Sequence, residues 1–320
     1  MSKHVDTSRR TFLKVVSVSA GAASVSGTTG TAQMDDTDDG LNPDEEWPNS
    51  QYDAAHTGYN PTASGSKSDV ETTNIPLATG CVEVEDTYAP VVGDGAVFYS
   101  MKEGDASTES QLRAWDYTDK KNRWSKTFEE SVSRPTVGDG VVCVITSEYS
   151  EETFIRGFST DDGSELWSTT VEGDFSHPVI TDGIVYVINA TGAHALNAND
   201  GTEKWHTQMD IRLDDGVVAP AVTDDSVYFT TWLDGLYALD VETGEQQWTF
   251  DAGAEGAVFD MTPTVANGTL IVGDRERYLY ALDADDGSEQ WRFENGAVAG
   301  WPSVAVANGK VYVGDAIGVG

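Results

Sequence analysis

One hairpin recurs six times along this chain, and that repetition constrains its fold more than any other feature. The first copy reads Ala89-Pro90-Val91-Val92-Gly93-Asp94-Gly95-Ala96-Val97-Phe98-Tyr99. It returns at Arg134-Pro135-Thr136-Val137-Gly138-Asp139-Gly140-Val141-Val142, and further copies start at His177-Pro178, Ala219-Pro220 and Thr262-Pro263. A sixth copy, residues 303–313, has Val304 in the proline slot. Pro90 and Val304 lie 214 residues apart over five steps, a period of about 43. A fixed period of this length marks one supersecondary unit stacked on copies of itself.

The hairpin is legible residue by residue. Asp94-Gly95, Asp139-Gly140, Asp182-Gly183, Asn267-Gly268 and Asn308-Gly309 are two-residue turn signals, because both central positions of such a turn need positive φ. Asp224-Asp225 is the weaker fourth copy. The strand after each turn is nearly all apolar, as in Ile184-Val185-Tyr186-Val187-Ile188, which predicts burial on both faces.

A second element ends in tryptophan. Its cleanest copy is Ala238-Leu239-Asp240-Val241-Glu242-Thr243-Gly244-Glu245-Gln246-Gln247-Trp248. Residues 281–291 and 195–205 match closely, 157–167 more loosely, and 114–124 has Lys120 where the others have Gly. Here a strand meets a turn whose Gly supplies a left-handed residue, and a second strand then carries the Trp. Trp124, Trp167, Trp205, Trp248 and Trp291 hold one repeat position, which predicts packing between units rather than a ligand cage. Two hairpins per unit make four strands. The expected fold is therefore all-β: a β-propeller of about six four-stranded blades, the last incomplete.

Charge narrows the function classes. The 320 residues carry 54 Asp+Glu against 19 Lys+Arg, a net charge of −35. Nucleic acid and anionic membrane surfaces attract the opposite sign and are not expected partners. The acids are spread along the whole chain, a surface that resembles proteins of extreme halophiles, whose carboxylates remain hydrated in molar salt. Two cysteines, Cys81 and Cys143, make no disulfide framework and no CxxC zinc spacing, and whether they pair is open.

The amino terminus reads as an address. Ser8-Arg9-Arg10-Thr11-Phe12-Leu13-Lys14 resembles the twin-arginine export signal, with Arg9 and Arg10 as its key residues. The apolar stretch behind it, residues 15–26, is too short and too rich in Ser, Gly and Ala to span a bilayer. The expected organisation is a signal over 1–32, an acidic linker and lead-in over 33–69, and the propeller over 70–320. The expected location is outside the cytoplasm, extracellular or in the envelope, with peripheral envelope association compatible and no transmembrane segment. Changing Arg9 and Arg10 to Lys should leave precursor inside the cell; undiminished appearance in the medium or envelope contradicts the reading.

The eleven-residue Trp element, preceded by the Pro hairpin, resembles the pyrroloquinoline-quinone (PQQ) repeat family. Trp47-Pro48-Asn49-Ser50-Gln51-Tyr52-Asp53-Ala54-Ala55-His56-Thr57-Gly58-Tyr59 is similar to the lead-in before the first blade of many halophile members. The likeness covers roughly residues 47–320 and implies a propeller. The family includes both quinoprotein dehydrogenases and non-catalytic propellers, among them an outer-membrane assembly lipoprotein. Members usually have seven or eight blades, so six implies either a small, imperfectly closed ring or a chain truncated relative to a longer parent. Residues 74–82 look like a lone outer strand that would complete the last blade.

The dehydrogenases hold the quinone over the ring axis with Ca²⁺ bound by Glu, Asn and Asp, and often with adjacent cysteines. Cys81 and Cys143 are apart, and no such ligand triplet aligns. The Asp283 to Glu289 segment has Gly at the fifth position, where a calcium loop needs an acid. His56, His177, His194 and His206 are scattered, with no H-x-x-x-H spacing. Irregular positions within the repeat are the remaining candidates. Arg134, His177, Ala219 and Thr262 precede the blade prolines and are expected on one face of the ring; Trp232 and Trp301 are further candidates. The leading expectation is an exported, non-catalytic binding or scaffold module with no cofactor, for a protein or small-molecule ligand. The alternative is a PQQ- and Ca²⁺-dependent oxidoreductase, or a piece of one.

Overall fold

The computed structural model describes residues 13–16, 84–87, 89–103, 109–147, 153–171, 173, 175–209, 211, 218–231, 235–251, 259, 261–274, 278–294, 304–307 and 310–314. They form six antiparallel sheets. A short strand β1, Leu13–Val16, comes first in sequence. Blade 1 holds β2 (Val84–Thr87), β3 (Val91–Gly93), β4 (Ala96–Glu103), β5 (Ser110–Asp116) and β6 (Lys121–Phe128). Blade 2 holds β7 (Ser131–Val132), β8 (Thr136–Gly138), β9 (Val141–Ser147), β10 (Thr153–Ser159) and β11 (Glu165–Val171). Blade 3 is β12 (Val179–Thr181), β13 (Ile184–Asn189), β14 (Gly192–Asn197) and β15 (Glu203–Gln208). Blade 4 is β16 (Ala221–Val222), β17 (Ser226–Thr231), β18 (Gly235–Asp240) and β19 (Gln246–Phe250). Blade 5 is β20 (Thr264–Ala266), β21 (Thr269–Gly273), β22 (Tyr278–Asp283) and β23 (Glu289–Glu294). The sixth sheet pairs β24 (Val304–Ala307) with β25 (Lys310–Gly314), and β1 adds to the far side of β25.

The turns follow from their residues. Asp94, Asp139, Asp182 and Asn267 take φ of 46–52°, and each is followed by a Gly at 71–78°. That is the mirror-image turn whose twist matches a hairpin. Asp224-Asp225 lacks the Gly, and there the loop is closed differently: Thr223 N–H donates to Ser226 O, and Ser226 N–H to Thr223 Oγ1. In the Trp element the turn aspartate caps its own loop. Asp240 Oδ1 accepts from the N–H groups of Glu242 and Thr243, and Gly244 N–H returns to Asp240 O. Lys120, standing in the glycine slot of blade 1, is itself left-handed at φ 52°. In all five blades the register between the last two strands shifts by one residue just after this turn. That recurring bulge re-aims the residue two before the tryptophan.

Burial sorts the strands by position. The second strands are buried almost throughout, as in β9, β13 and β17, while the outermost strands are exposed except for their tryptophan. Each tryptophan reaches across to the next blade. Trp124, Trp167, Trp205 and Trp248 donate Nε1–H to the carbonyls of Thr160, Ala198, Val241 and Ala284, at 3.0, 2.6, 3.0 and 3.1 Å. Their rings lie against Gly163, Gly201, Gly244 and Gly287, where a Cβ would come within 2.5–2.7 Å of the six-membered ring. The turn glycine is thus required twice, for its left-handed φ and for the ring beside it. Trp291 packs against the last sheet through the cluster of Met261, Val304 and Val311.

The innermost strands line up in blade order, β3 beside β8, β8 beside β12, β12 beside β16 and β20 beside β24. Blades 1 and 2 depart from the expected four strands. Their second strands run long enough to pair with an extra short segment, β2 on β4 and β7 on β9. The expected closing strand, residues 74–82, lies outside the described residues, and the strand found on β25 is β1. No helix among the described residues is long and apolar enough to cross a membrane.

Candidate functional site

Two places on this frame carry side chains that the repeat does not require. The first is where the chain turns into the innermost strands of blades 2 and 3. Ser133 and Ser176 occupy equivalent positions there and make the same set of bonds. Ser133 N–H donates to Ile145 O at 2.8 Å, and Ser133 Oγ accepts from Ile145 N–H at 2.9 Å while donating to Arg134 O at 3.0 Å. Ser176 repeats this on Ile188 at 2.7 and 2.9 Å, with its Oγ donating to His177 O at 3.3 Å. From the preceding blade, Ser100 Oγ also donates to Ser133 O at 2.7 Å. The same serine bonds thus precede Arg134 and His177 at equivalent positions on neighbouring blades, with Ser100 adding a second hold at Ser133.

Burial, and secondarily the Arg134 charge, depress the His177 pKa to about 4. His177 is therefore a neutral imidazole at neutral pH, able to donate one hydrogen bond and accept another but not to shuttle protons there. Ala219, next in the series, is buried, and Thr262 is half-buried. The four positions before the blade prolines thus carry a guanidinium, a neutral imidazole and two small side chains.

The second place is on the outer half of blade 3. His194 of β14 and His206 of β15 are directly opposite in the ladder. Their rings stack at 4.1 Å with planes 9° apart. Glu203, re-aimed by the bulge between Ala195 and Leu196, brings Oε2 to 3.3 Å from His194 Nδ1. On the other side of the ring, His194 Nε2 lies 3.2 Å from Asn189 Oδ1. Burial first, and the neighbouring His206 second, lower the His194 pKa against the opposing pull of Glu203. The sequence gives little sign of this group, since the two histidines are 12 residues apart. The available signal was the hairpin register: residues equidistant from a turn face each other across it.

The remaining candidates separate. Trp232, Trp301, Arg9, Arg10 and the lead-in of residues 47–59 lie outside the described residues. The Asp283 to Glu289 segment is the blade 5 turn: Asp283 Oδ1 accepts from Asp285 N–H, and Asp286 Oδ1 from Ser288 N–H. Cys143 is fully buried in β9, and burial pushes its thiol pKa up.

A family model described as outer membrane protein assembly factor BamB matches residues 65–192, 155–212 and 189–319. Comparison with curated protein sequences returns no match. Among solved structures, the chain is similar to the quinohemoprotein alcohol dehydrogenase ADHIIG of Pseudomonas putida HK5. The TM-score is 0.57 at 15% identity, over 79% of this chain and 48% of that one. It is similar in the same way to the quinohemoprotein alcohol dehydrogenase of Comamonas testosteroni, with TM-score 0.54 at 15% identity over 79% and 49% of the two chains. The computationally designed Ika8 protein gives TM-score 0.55 at 11% identity over 72% and 80%. The chain thus spans about half the length of the two dehydrogenases, and at such identities the likeness is one of fold.

Proposed function

This chain belongs to the family described as outer membrane protein assembly factor BamB, and on that premise we propose that it is an exported, non-catalytic propeller that binds a partner. The observation that carries this reading is the Arg134–His177 pair. Two hydrogen-bonding side chains are set at equivalent points of successive blades by the same serine clamp. The fixed tryptophan and glycine positions serve packing instead. The family's description as an assembly factor supports a role in holding another molecule. The twin-arginine-like Arg9 and Arg10 support export, and the net charge of −35 supports a salt-rich exterior.

A second reading, a PQQ-dependent oxidoreductase, is favoured by the fold shared with the two quinohemoprotein dehydrogenases. Calcium takes six to eight oxygen ligands, so a quinone–calcium site needs convergent carboxylates. Among the described residues one carboxylate is fully buried, Asp274, and it already accepts from Tyr278 N–H at 2.7 Å and Tyr280 O–H at 3.0 Å. Asp274 thus gives this second reading no support.

The test is a photo-crosslinking residue placed at 134, at 177, or at Leu166 on the outer strand of blade 2, in the secreted protein. Discrete adducts at 134 and 177 and none at 166 are expected. Equal labelling at all three positions, or none at 134 and 177, overturns the assignment.

A further inference from the structure

We propose that His194, Glu203 and His206 form a binding site for a single divalent transition-metal ion of the zinc or copper type on the outer half of blade 3. The donor set is two imidazole nitrogens and one carboxylate oxygen, with one ligand atom from each residue lying within 4.8 Å of the others. Zinc, copper and nickel accept this mixture, whereas calcium and magnesium prefer oxygen alone.

The orientation of His194 carries the argument. Asn189 Oδ1 accepts from Thr191 N–H at 3.0 Å and Thr191 O–H at 2.8 Å, so it is a carbonyl oxygen and can only accept. His194 Nε2, at 3.2 Å, must therefore carry a hydrogen. Its other nitrogen, Nδ1, faces the Glu203 carboxylate, 3.3 Å away. A metal ion about 2.0–2.2 Å from each atom fits between two ligands at this separation. A histidine ligand whose second nitrogen donates to a carbonyl is also the usual support behind a metal. His206 is exposed, so its ring can turn out of the stack to bring a nitrogen to the same point.

The other blades serve as internal controls. The cross-strand pair at this place is Arg113–Ser125 in blade 1, Arg156–Ser168 in blade 2, Tyr237–Thr249 in blade 4 and Tyr280–Arg292 in blade 5. The residue at the bulge is Asn122, Glu165, Gln246 or Glu289. The frame folds with any of these, so two histidines and a glutamate in one blade are not a packing requirement. Three protein donors leave at least one coordination position open to solvent.

The experiment titrates the full chain with zinc chloride in molar NaCl by calorimetry, beside H206N and E203Q. Circular dichroism of each variant checks that the fold is kept. One zinc per chain is expected, weakened at least about tenfold in H206N and measurably in E203Q, with excess calcium failing to compete. Electron paramagnetic resonance of the copper-loaded chain should show two coordinated nitrogens, and fewer in H206N. Zinc binding equal in all three proteins, binding displaced by calcium, or a copper spectrum with fewer than two nitrogens overturns the site.

Discussion

Dialysed from molar KCl into millimolar salt, the protein should lose most of its β circular-dichroism signal. The net charge is −35, with 19 basic residues to offset 54 acids. Each outer turn of successive blades carries acids: Asp119, Asp161 and Asp162, Asp200, Glu242, and Asp285 and Asp286 are all exposed. Protonation cannot relieve the crowding near neutral pH. Turn N–H and hydroxyl groups hold Asp116, Asp162, Asp200, Asp240 and Asp286 below the usual carboxylate range. At about 1 M salt the screening length is roughly 3 Å, so neighbouring turns hardly sense one another; near 0.01 M it is roughly 30 Å and reaches across the domain. Repulsion of that range opposes a compact state that is only about 5–15 kcal/mol stable. An unchanged spectrum and melting temperature across the salt series contradicts this.

Trp167→Ala should be the most damaging substitution of a single described side chain. The ring is buried between blades 2 and 3, where it packs with Ile155, Phe175 and Val187. Its Nε1–H donates to Ala198 O, and its six-membered ring covers Gly201. Removing it leaves a cavity and an unpaired carbonyl, a cost of about 3–5 kcal/mol. The neighbour Leu166 is 46% exposed, so Leu166→Ala should fall within about 0.5 kcal/mol of the parent. Chemical denaturation in molar salt compares the two. Equal midpoints would show that the tryptophans do not join the blades.

The fold was legible because each repeat spells out its own turns. Asp-Gly and Asn-Gly pairs fixed the first hairpin, and a Gly four residues before Trp fixed the second. Where these signals lapse, the structure solves the same problem by other means: Lys120 adopts the left-handed turn that Gly adopts elsewhere, and Thr223 replaces the missing fourth Asp-Gly. Arg134 and His177 were legible as a pair because they are one repeat apart. The His194–His206 pair was not, because its proximity depends on hairpin register and its carboxylate on a bulge that shifts Glu203 by one residue. The bulge recurs at one place in every blade, but no residue type marks it: the position holds Asn122, Glu165, Glu203, Gln246 or Glu289. The extra strands β2 and β7 were likewise hidden, as they follow from how far β4 and β9 extend.

The most direct measurement of the central claim, a partner-binding propeller without quinone chemistry, is a titration of the full-length protein with PQQ and Ca²⁺ in molar salt. Tryptophan fluorescence would report binding, and dye reduction with a panel of alcohols and aldoses would report turnover. A redox cofactor needs its reactive carbon held against a base and a metal. His177 stands beside a fixed positive charge with its pKa at about 4, and Asp274 is already bonded to Tyr278 and Tyr280. The account predicts no saturable quenching and no substrate-dependent dye reduction. Micromolar quinone binding together with substrate-dependent reduction of the dye would contradict it.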